Sequence, residues 1–308
     1  MVQICKRCGY ENQQGLFCQR CNSRLRHPTS YDLSVKDFVT EADERALQIL
    51  KTTGPLLNIL YSTVVEPRLR NLTAGIAEKT GKNQRIESIA TECADTLSLD
   101  YRPRVHLGNF RRPNALTTGT ESNAAIVVDR QLAEQLSDSE VRALLGHEMG
   151  HIKSRHLMYH SVAELLERGI SFSGSLAGIG LISVPLRLAL LSWHRESEFS
   201  ADRAGLIAAG SLDSAVSMFV KIVGELDEGF DPGSDLATIL GAFQGHPQHL
   251  SRLKAMREFA GSAAYSEVRR KFDQRKMLEN AFSETCKYCG ASKPLEEVFC
   301  PSCQRALA

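Results

Sequence analysis

The chain has 308 residues, 43% of them hydrophobic, with 37 Lys and Arg against 36 Asp and Glu. That is enough apolar material for one large core or two ordinary ones, and too even a charge balance for a global field that would draw in nucleic acid or an anionic membrane. Any contact of that kind has to be local.

The chain reaches Cys5 and the Lys6-Arg7 pair without the apolar stretch an export signal needs. Eight of the nine cysteines fall into four C-x-x-C pairs, which points to thiolate ligands in a reducing, cytoplasmic setting more than to disulfides. Cys5 and Cys8 with Cys18 and Cys21 form one set, and Cys286 and Cys289 with Cys300 and Cys303 form the other. In both, a glycine follows the second cysteine (Gly9, Gly290) and a phenylalanine precedes the third (Phe17, Phe299). Two knuckles and a short hairpin clamping one Zn²⁺ account for this pattern. We therefore expect an N-terminal zinc ribbon over 1–27 and a C-terminal one over 284–308, around a body at 31–282. A segment this short does not fold without its metal, and four protein ligands close the site to chemistry. The ribbons are expected to stabilise, to pair with each other, or to dock a protein partner or substrate. Lys6, Arg7, Arg20, Arg24 and Arg26 would suit phosphates, but beyond Tyr10 and Phe17 no aromatic platform accompanies them, so nucleic acid is not the expected partner.

Within the body, Thr40 with Asp43 resembles a capping box opening a helix that Gly54 closes. Asn83 to Leu97 carries apolar residues at helical spacing (Ile86, Ile89, Ala90, Cys93, Leu97), with Cys93 as a small core residue. Arg104 to Leu107 and Ala124 to Val128 are the best strand candidates, and the extended stretch near Ala115 to Thr118 could pair with them. The expected class is α+β: a mostly helical body with a small sheet.

Ser137 and Glu140 form a capping box ahead of Val141, Leu144 and Leu145, which predicts one amphipathic helix through His147-Glu148-x-x-His151. Residues four apart project from the same helix face, so both imidazoles can reach one Zn²⁺ while Glu148 stands where it can deprotonate a metal-activated water. A catalytic zinc needs a third protein ligand and an open fourth position. Ser192 could cap a second helix, through Trp193, Phe199 and Leu206 to Gly210, on which Glu198 can ligate and Asp202, one turn on, can orient a histidine ligand. An exposed acidic helix paired with Arg195 and Arg203 is the alternative. His156 reads as a helix-end residue, and His160, His194 and His249 as surface or packing residues.

With His147-Glu148-x-x-His151 followed by Glu198-x-x-x-Asp202, the chain resembles the HtpX-like and CAAX-prenyl-protease-like family of gluzincin metallopeptidases. Pro113-Asn114-Ala115, Gly119 and Ile126 to Val128 resemble the extended segment and strand ahead of that family's metal helix, so the likeness covers about Tyr101 to Met256. It implies a zinc-dependent endopeptidase with one catalytic and, counting the ribbons, two structural zinc ions. It also implies that Asn114 and Ala115 lie along an edge where substrate adds as a strand, although an ordinary turn fits them as well. His246-Pro247, followed by Arg252, looks like the family's downstream His-Pro element, where a histidine or arginine could stabilise the oxyanion; Pro247 could equally start the next helix. The competing class is a non-catalytic zinc scaffold with a structural central site, against which the intact Glu148 argues.

The apolar stretch 170–192 is interrupted by Pro185 and Arg187. A single crossing there would separate His147 and His151 from Glu198 by a bilayer, and a double crossing needs about 40 apolar residues that the charged Leu157 to Arg168 does not supply. What remains is a buried helix pair, a cleft wall, or a surface resting on a membrane peripherally, with Gly174, Gly178 and Gly180 permitting close helix packing, the favoured role, or a flexible lid.

Overall fold

A computed structural model describes residues 3–12, 15–25, 33–67, 69, 71, 75, 83–110, 114–120, 123–167, 183–223, 247–281, 286, 288–289, 299–300 and 303–305. The body is α+β and mostly helical. Helix α1 (Glu41–Lys51) is capped by Thr40, whose side chain accepts from the Asp43 amide. The box is only half made: the Thr40 amide donates to Ser200 Oγ at 3.0 Å, and the Asp43 carboxylate is buried against Trp193 Nε1 at 2.9 Å. Gly54 does not close this helix. The chain turns at Thr52 and Thr53, and Gly54 with Pro55 opens α2 (Gly54–Leu60), because proline suits a first helical turn.

Asn83 caps α3 (Gln84–Thr96), which buries Ile86, Ile89, Ala90 and Cys93 as its spacing predicts; burial pushes the Cys93 thiol up to about 12. Three strands follow: β3 (Arg104–Gly108), β4 (Ala115–Thr120) and β5 (Asn123–Asp129), after a two-residue pair, β1 (Gln3–Ile4) and β2 (Glu11–Asn12), in the front ribbon. In the body sheet β5 is central, parallel to β3 and antiparallel to β4, with Leu116 opposite Val127. The short helix α4 (Arg130–Gln135) leads to α5 (Asp138–Lys153), where both halves of the Ser137–Glu140 capping box are made. Helix α6 is Leu157–Glu167 and α7 is Val184–Ala209; α8 (Leu212–Val223), α9 (Pro247–Ala260) and α10 (Ala263–Ala281) complete the body.

Helix α7 starts well before Ser192. Ser183 precedes it and Pro185 occupies its first turn, so Val184 to Ser192 is already helical, and Gly210 ends it with a left-handed φ of 68°. The described part of the apolar stretch is thus the first turns of α7: Leu190 and Trp193 are fully buried, while Val184 and Leu188 face outward. Gly174, Gly178 and Gly180 lie outside the described residues. Among the described residues, no helix is long and apolar enough to cross a membrane.

Two apolar clusters hold the body. The larger joins α3, the sheet, α5, the second half of α7, α8, α9 and α10; the smaller packs α1, α2 and α6 around Trp193. The front ribbon enters the larger one through Phe17. Its Arg24 is almost fully buried, donating to the Leu99 carbonyl (2.7 Å), the Ala94 carbonyl (3.0 Å) and Asp95 (2.7 Å). Arg24, one of the residues that could have met phosphate, is therefore committed to holding ribbon and body together.

Candidate metal centre

Helices α5 and α7 cross closely because their contact faces carry almost no side chain. A methyl at Gly150 would stand 2.7 Å from Ala204 Cβ, one at Gly205 would stand 2.7 Å from the Ala143 carbonyl oxygen, and one at Gly146 would overlap Ala208. This close approach sets His147 and His151, one turn apart on α5, opposite Glu198 and Asp202, one turn apart on α7.

The ligand atoms of His147, His151 and Glu198 lie within 4.8 Å of one another. His147 Nε2 is 3.6 Å from Glu198 Oε2, and His151 Nε2 is 3.4 Å from Glu198 Oε1. Bonds of 2.0–2.1 Å in a tetrahedron put neighbouring donors about 3.3 Å apart, so the set fits a zinc ion. The His151 Nε2 atom is buried with no aligned hydrogen bond among the described residues, as expected of a nitrogen kept for a metal.

The surrounding groups fix these side chains. His147 Nδ1 is 3.1 Å from Asp202 Oδ1, the sequence-predicted orienting contact. Burial would push the His147 imidazole down, but its hydrogen bond to Asp202 and the charge of Glu198 raise it overall. His151 is held well below the usual histidine range by burial and by neighbouring His160, which suits a neutral ligand. Arg252 on α9 grips Asp202 with two nitrogens, both at 2.7 Å, and reaches Glu198 Oε2 at 2.8 Å. Burial alone would raise both carboxyls; the Arg252 charge instead leads them below their ordinary range. Arg252 is thus occupied with the ligand shell.

Three further histidines stand beside this set, among them His156, which follows the end of α5 as a helix-end residue. His156 is buried, its Nδ1 3.3 Å from His151 Nδ1 and its Nε2 3.3 Å from Asp43 Oδ2. His160 Nε2 is 3.0 Å from Glu198 Oε1, and His194 Nε2 is 3.1 Å from His160 Nε2. The i,i+4 pair His194 and Glu198 carried a legible signal for this; Asp43, more than a hundred residues away in the chain, did not.

Glu148, one residue beyond His147, is buried and accepts a hydrogen bond from the Thr117 hydroxyl on β4. β4 is an edge strand of the three-stranded sheet, and it begins at the predicted residues. The Asn114 carbonyl accepts from the Asp129 amide, while its side chain accepts from the Ala115 amide at 2.8 Å; Ala115 is buried opposite Val128. Tyr61 ties the far end of β4 by donating to the Gly119 carbonyl. His246 lies outside the described residues.

Each cysteine set brings its four sulfurs within 4.8 Å. Cys5–Cys21 and Cys8–Cys18 are 3.6 and 3.7 Å apart, and Cys286–Cys303 and Cys289–Cys300 are both 3.7 Å apart. Tetrahedral Zn–S bonds of 2.3 Å separate sulfurs by about 3.8 Å, whereas a disulfide needs about 2.05 Å, so the spacing of both sets fits a bound ion and not a disulfide. Gly9, Asn22 and Gln304 each follow a knuckle's second cysteine with positive φ, and each amide returns to the carbonyl of the knuckle's first cysteine. Ser23 lies 3.1 Å from Cys5 Sγ and, with the amides of Cys8 and Arg7, lowers that thiol to about 6, favouring the thiolate a metal needs.

The sequence profile of peptidase family M48 matches residues 80–260. A plastoglobule-localized metallopeptidase 48 of Arabidopsis thaliana is 29% identical over 201 residues, covering 63% of this chain and 57% of the relative. A protease HtpX homolog 2 of Methanosarcina mazei is 29% identical over 46% of this chain and 55% of its own length. A protease HtpX homolog of Moorella thermoacetica is 31% identical over 41% and 50% respectively. The chain spans about half the length of the curated relatives it matches. No solved structure matches it.

Proposed function

Because the chain belongs to peptidase family M48, we propose that it is a zinc-dependent endopeptidase whose metal is held by His147, His151 and Glu198. The observation that carries this reading is the convergence of those three ligand atoms from α5 and α7, with Glu148 on the same helix as the two histidines. Zinc, when bound, supplies Lewis-acid polarisation of a scissile carbonyl and of the attacking water.

Glu148 takes the proton from that water and passes it to the leaving amine, while the Thr117 hydroxyl holds the carboxylate in place. Asp202 keeps His147 in the tautomer that presents Nε2 to the metal, and Arg252 keeps Asp202 and Glu198 ionised. Substrate adds along β4 near Asn114 and Ala115, with Asn114 itself capping the Ala115 amide until displaced. His246 steadies the oxyanion. The substrate is a peptide or protein, and the ribbons over 1–27 and 284–308 hold structural zinc, flank the peptidase body of 31–282 and offer protein-docking surfaces. The setting is cytoplasmic, with 170–192 available for peripheral membrane contact.

Glu148→Gln separates this enzyme from a zinc scaffold. The variant is expected to keep its fold and central zinc while cleavage of an unfolded protein substrate falls by at least ~100-fold. Cleavage at the parental rate would overturn the reading.

A further inference from the structure

Glu198 faces two sets of nitrogen donors. On one side are His147 and His151, already described. On the other are His160 from α6 and His194 from α7, and the ligand atoms of His160, His194 and Glu198 also lie within 4.8 Å of one another. Helical spacing builds this second set: His194 and Glu198 are one turn apart on α7, and the packing of α6 on α7 delivers His160 between them. We propose that His160, His194 and Glu198 form a second zinc site, adjacent to the first and sharing the Glu198 carboxylate.

The chemistry of the donors selects the ion. Two imidazoles and one carboxylate suit zinc, while calcium or magnesium prefer all-oxygen shells. The distances fit as well: His160 Nε2 to Glu198 Oε1 is 3.0 Å and His160 Nε2 to His194 Nε2 is 3.1 Å, near the separation of about 3.3 Å between neighbouring donors on a tetrahedral zinc. Glu198 Oε1 lies 3.0 Å from His160 Nε2 and 3.4 Å from His151 Nε2, while Oε2 lies 3.6 Å from His147 Nε2 and 2.8 Å from the Arg252 guanidinium. With Oε1 turned to the second ion, Oε2 remains for the first, as bridging carboxylates divide their oxygens in two-metal sites. His194 is buried and His160 half-buried, so the donors are held by packing and not by chance on a mobile surface. A second dication beside the first, with Arg252 also at hand, is repelled, so this site fills after the first and binds ~10-fold or more weakly.

The proposal rests on the peptidase reading only in using Glu198, and its test counts metal instead of turnover. The full chain is equilibrated with buffered zinc at rising free concentration and bound zinc is measured by plasma mass spectrometry. His194→Ala and His160→Ala are each expected to hold one zinc fewer per chain than the parent at high free zinc, and Glu198→Ala two fewer. His147→Ala is expected to lose the tighter ion instead. Circular dichroism checks folding, and His194→Asn, which keeps most of the side-chain volume, repeats the count if the alanine variant unfolds. A calorimetric zinc titration of the unaltered chain with its tighter sites filled should show one further binding step. Parental zinc counts in both histidine variants, or no further step in the unaltered chain, would overturn the second site. A Glu148→Gln variant that still cleaves would defeat the peptidase reading and leave these counts unaffected.

Discussion

The two cysteine sets share a ligand pattern and a sulfur geometry but differ in what surrounds them. At the front, Phe17 is 8% exposed and lies in the main core, Arg24 spans from its face on the Phe17 ring to α3, and Asn22 and Ser23 pair with Arg102 and Tyr101. At the back, Phe299 in the corresponding position is 60% exposed, and the apolar cluster around Cys286 and Cys300 contains, among the described residues, no residue of the body. Four cysteines at ribbon spacing thus specify a local metal fold and leave its docking open. The front ribbon is structurally part of the body; the back ribbon leaves its aromatic side chain exposed.

This difference should appear as unequal sensitivity of the body to matched changes. The largest effect is expected from Cys18→Ser, which removes a metal ligand from the docked ribbon: the thermal midpoint of the body should fall by roughly 10 °C, while Cys300→Ser leaves it within about 2 °C. Equal shifts in a calorimetric scan would break the contrast. Next comes Arg24→Ala, which strands part of the Asp95 charge and two buried carbonyls. It should cost about 3 kcal/mol by urea unfolding, tempered because Arg275 also pairs with Asp95. Phe17→Ala, a core truncation at the junction, is expected to cost about 2–3 kcal/mol. The smallest effect should be Phe299→Ala, within about 0.5 kcal/mol in the same assay, unless a partner covers it. A cost comparable to that of Phe17→Ala would mean that the back ribbon docks too.

The central site was legible wherever its chemistry is carried by local spacing. His147, Glu148 and His151 share a helix whose capping box is written in Ser137 and Glu140, and Glu198 with Asp202 repeats the one-turn interval on α7. The strands around Ala115 and Val128 were legible from alternation and β-branched content. Elsewhere a local signal is overruled by its neighbours. Gly54 resembled a helix stop but is followed by Pro55, and Ser192 resembled a cap but lies in a helix begun by Ser183 and Pro185. Thr117, Asp43 and His156 were not legible as parts of the site, because each acts on a partner brought near only by packing.

By itself, then, the sequence determined the local spacing of the candidate groups: four cysteines twice, His147, Glu148 and His151 within one helix, and Glu198 with Asp202 one turn apart on another. These are local because ligand spacing follows helix and knuckle periodicity. The tertiary structure decided what those donors face. The glycines and alanines between α5 and α7 bring His147 and His151 within reach of Glu198, Arg252 arrives from α9 to hold the acids ionised, and Arg24 commits one ribbon to the body while the other keeps Phe299 exposed. Such pairings depend on which surfaces bury one another, and no periodicity along the chain encodes that.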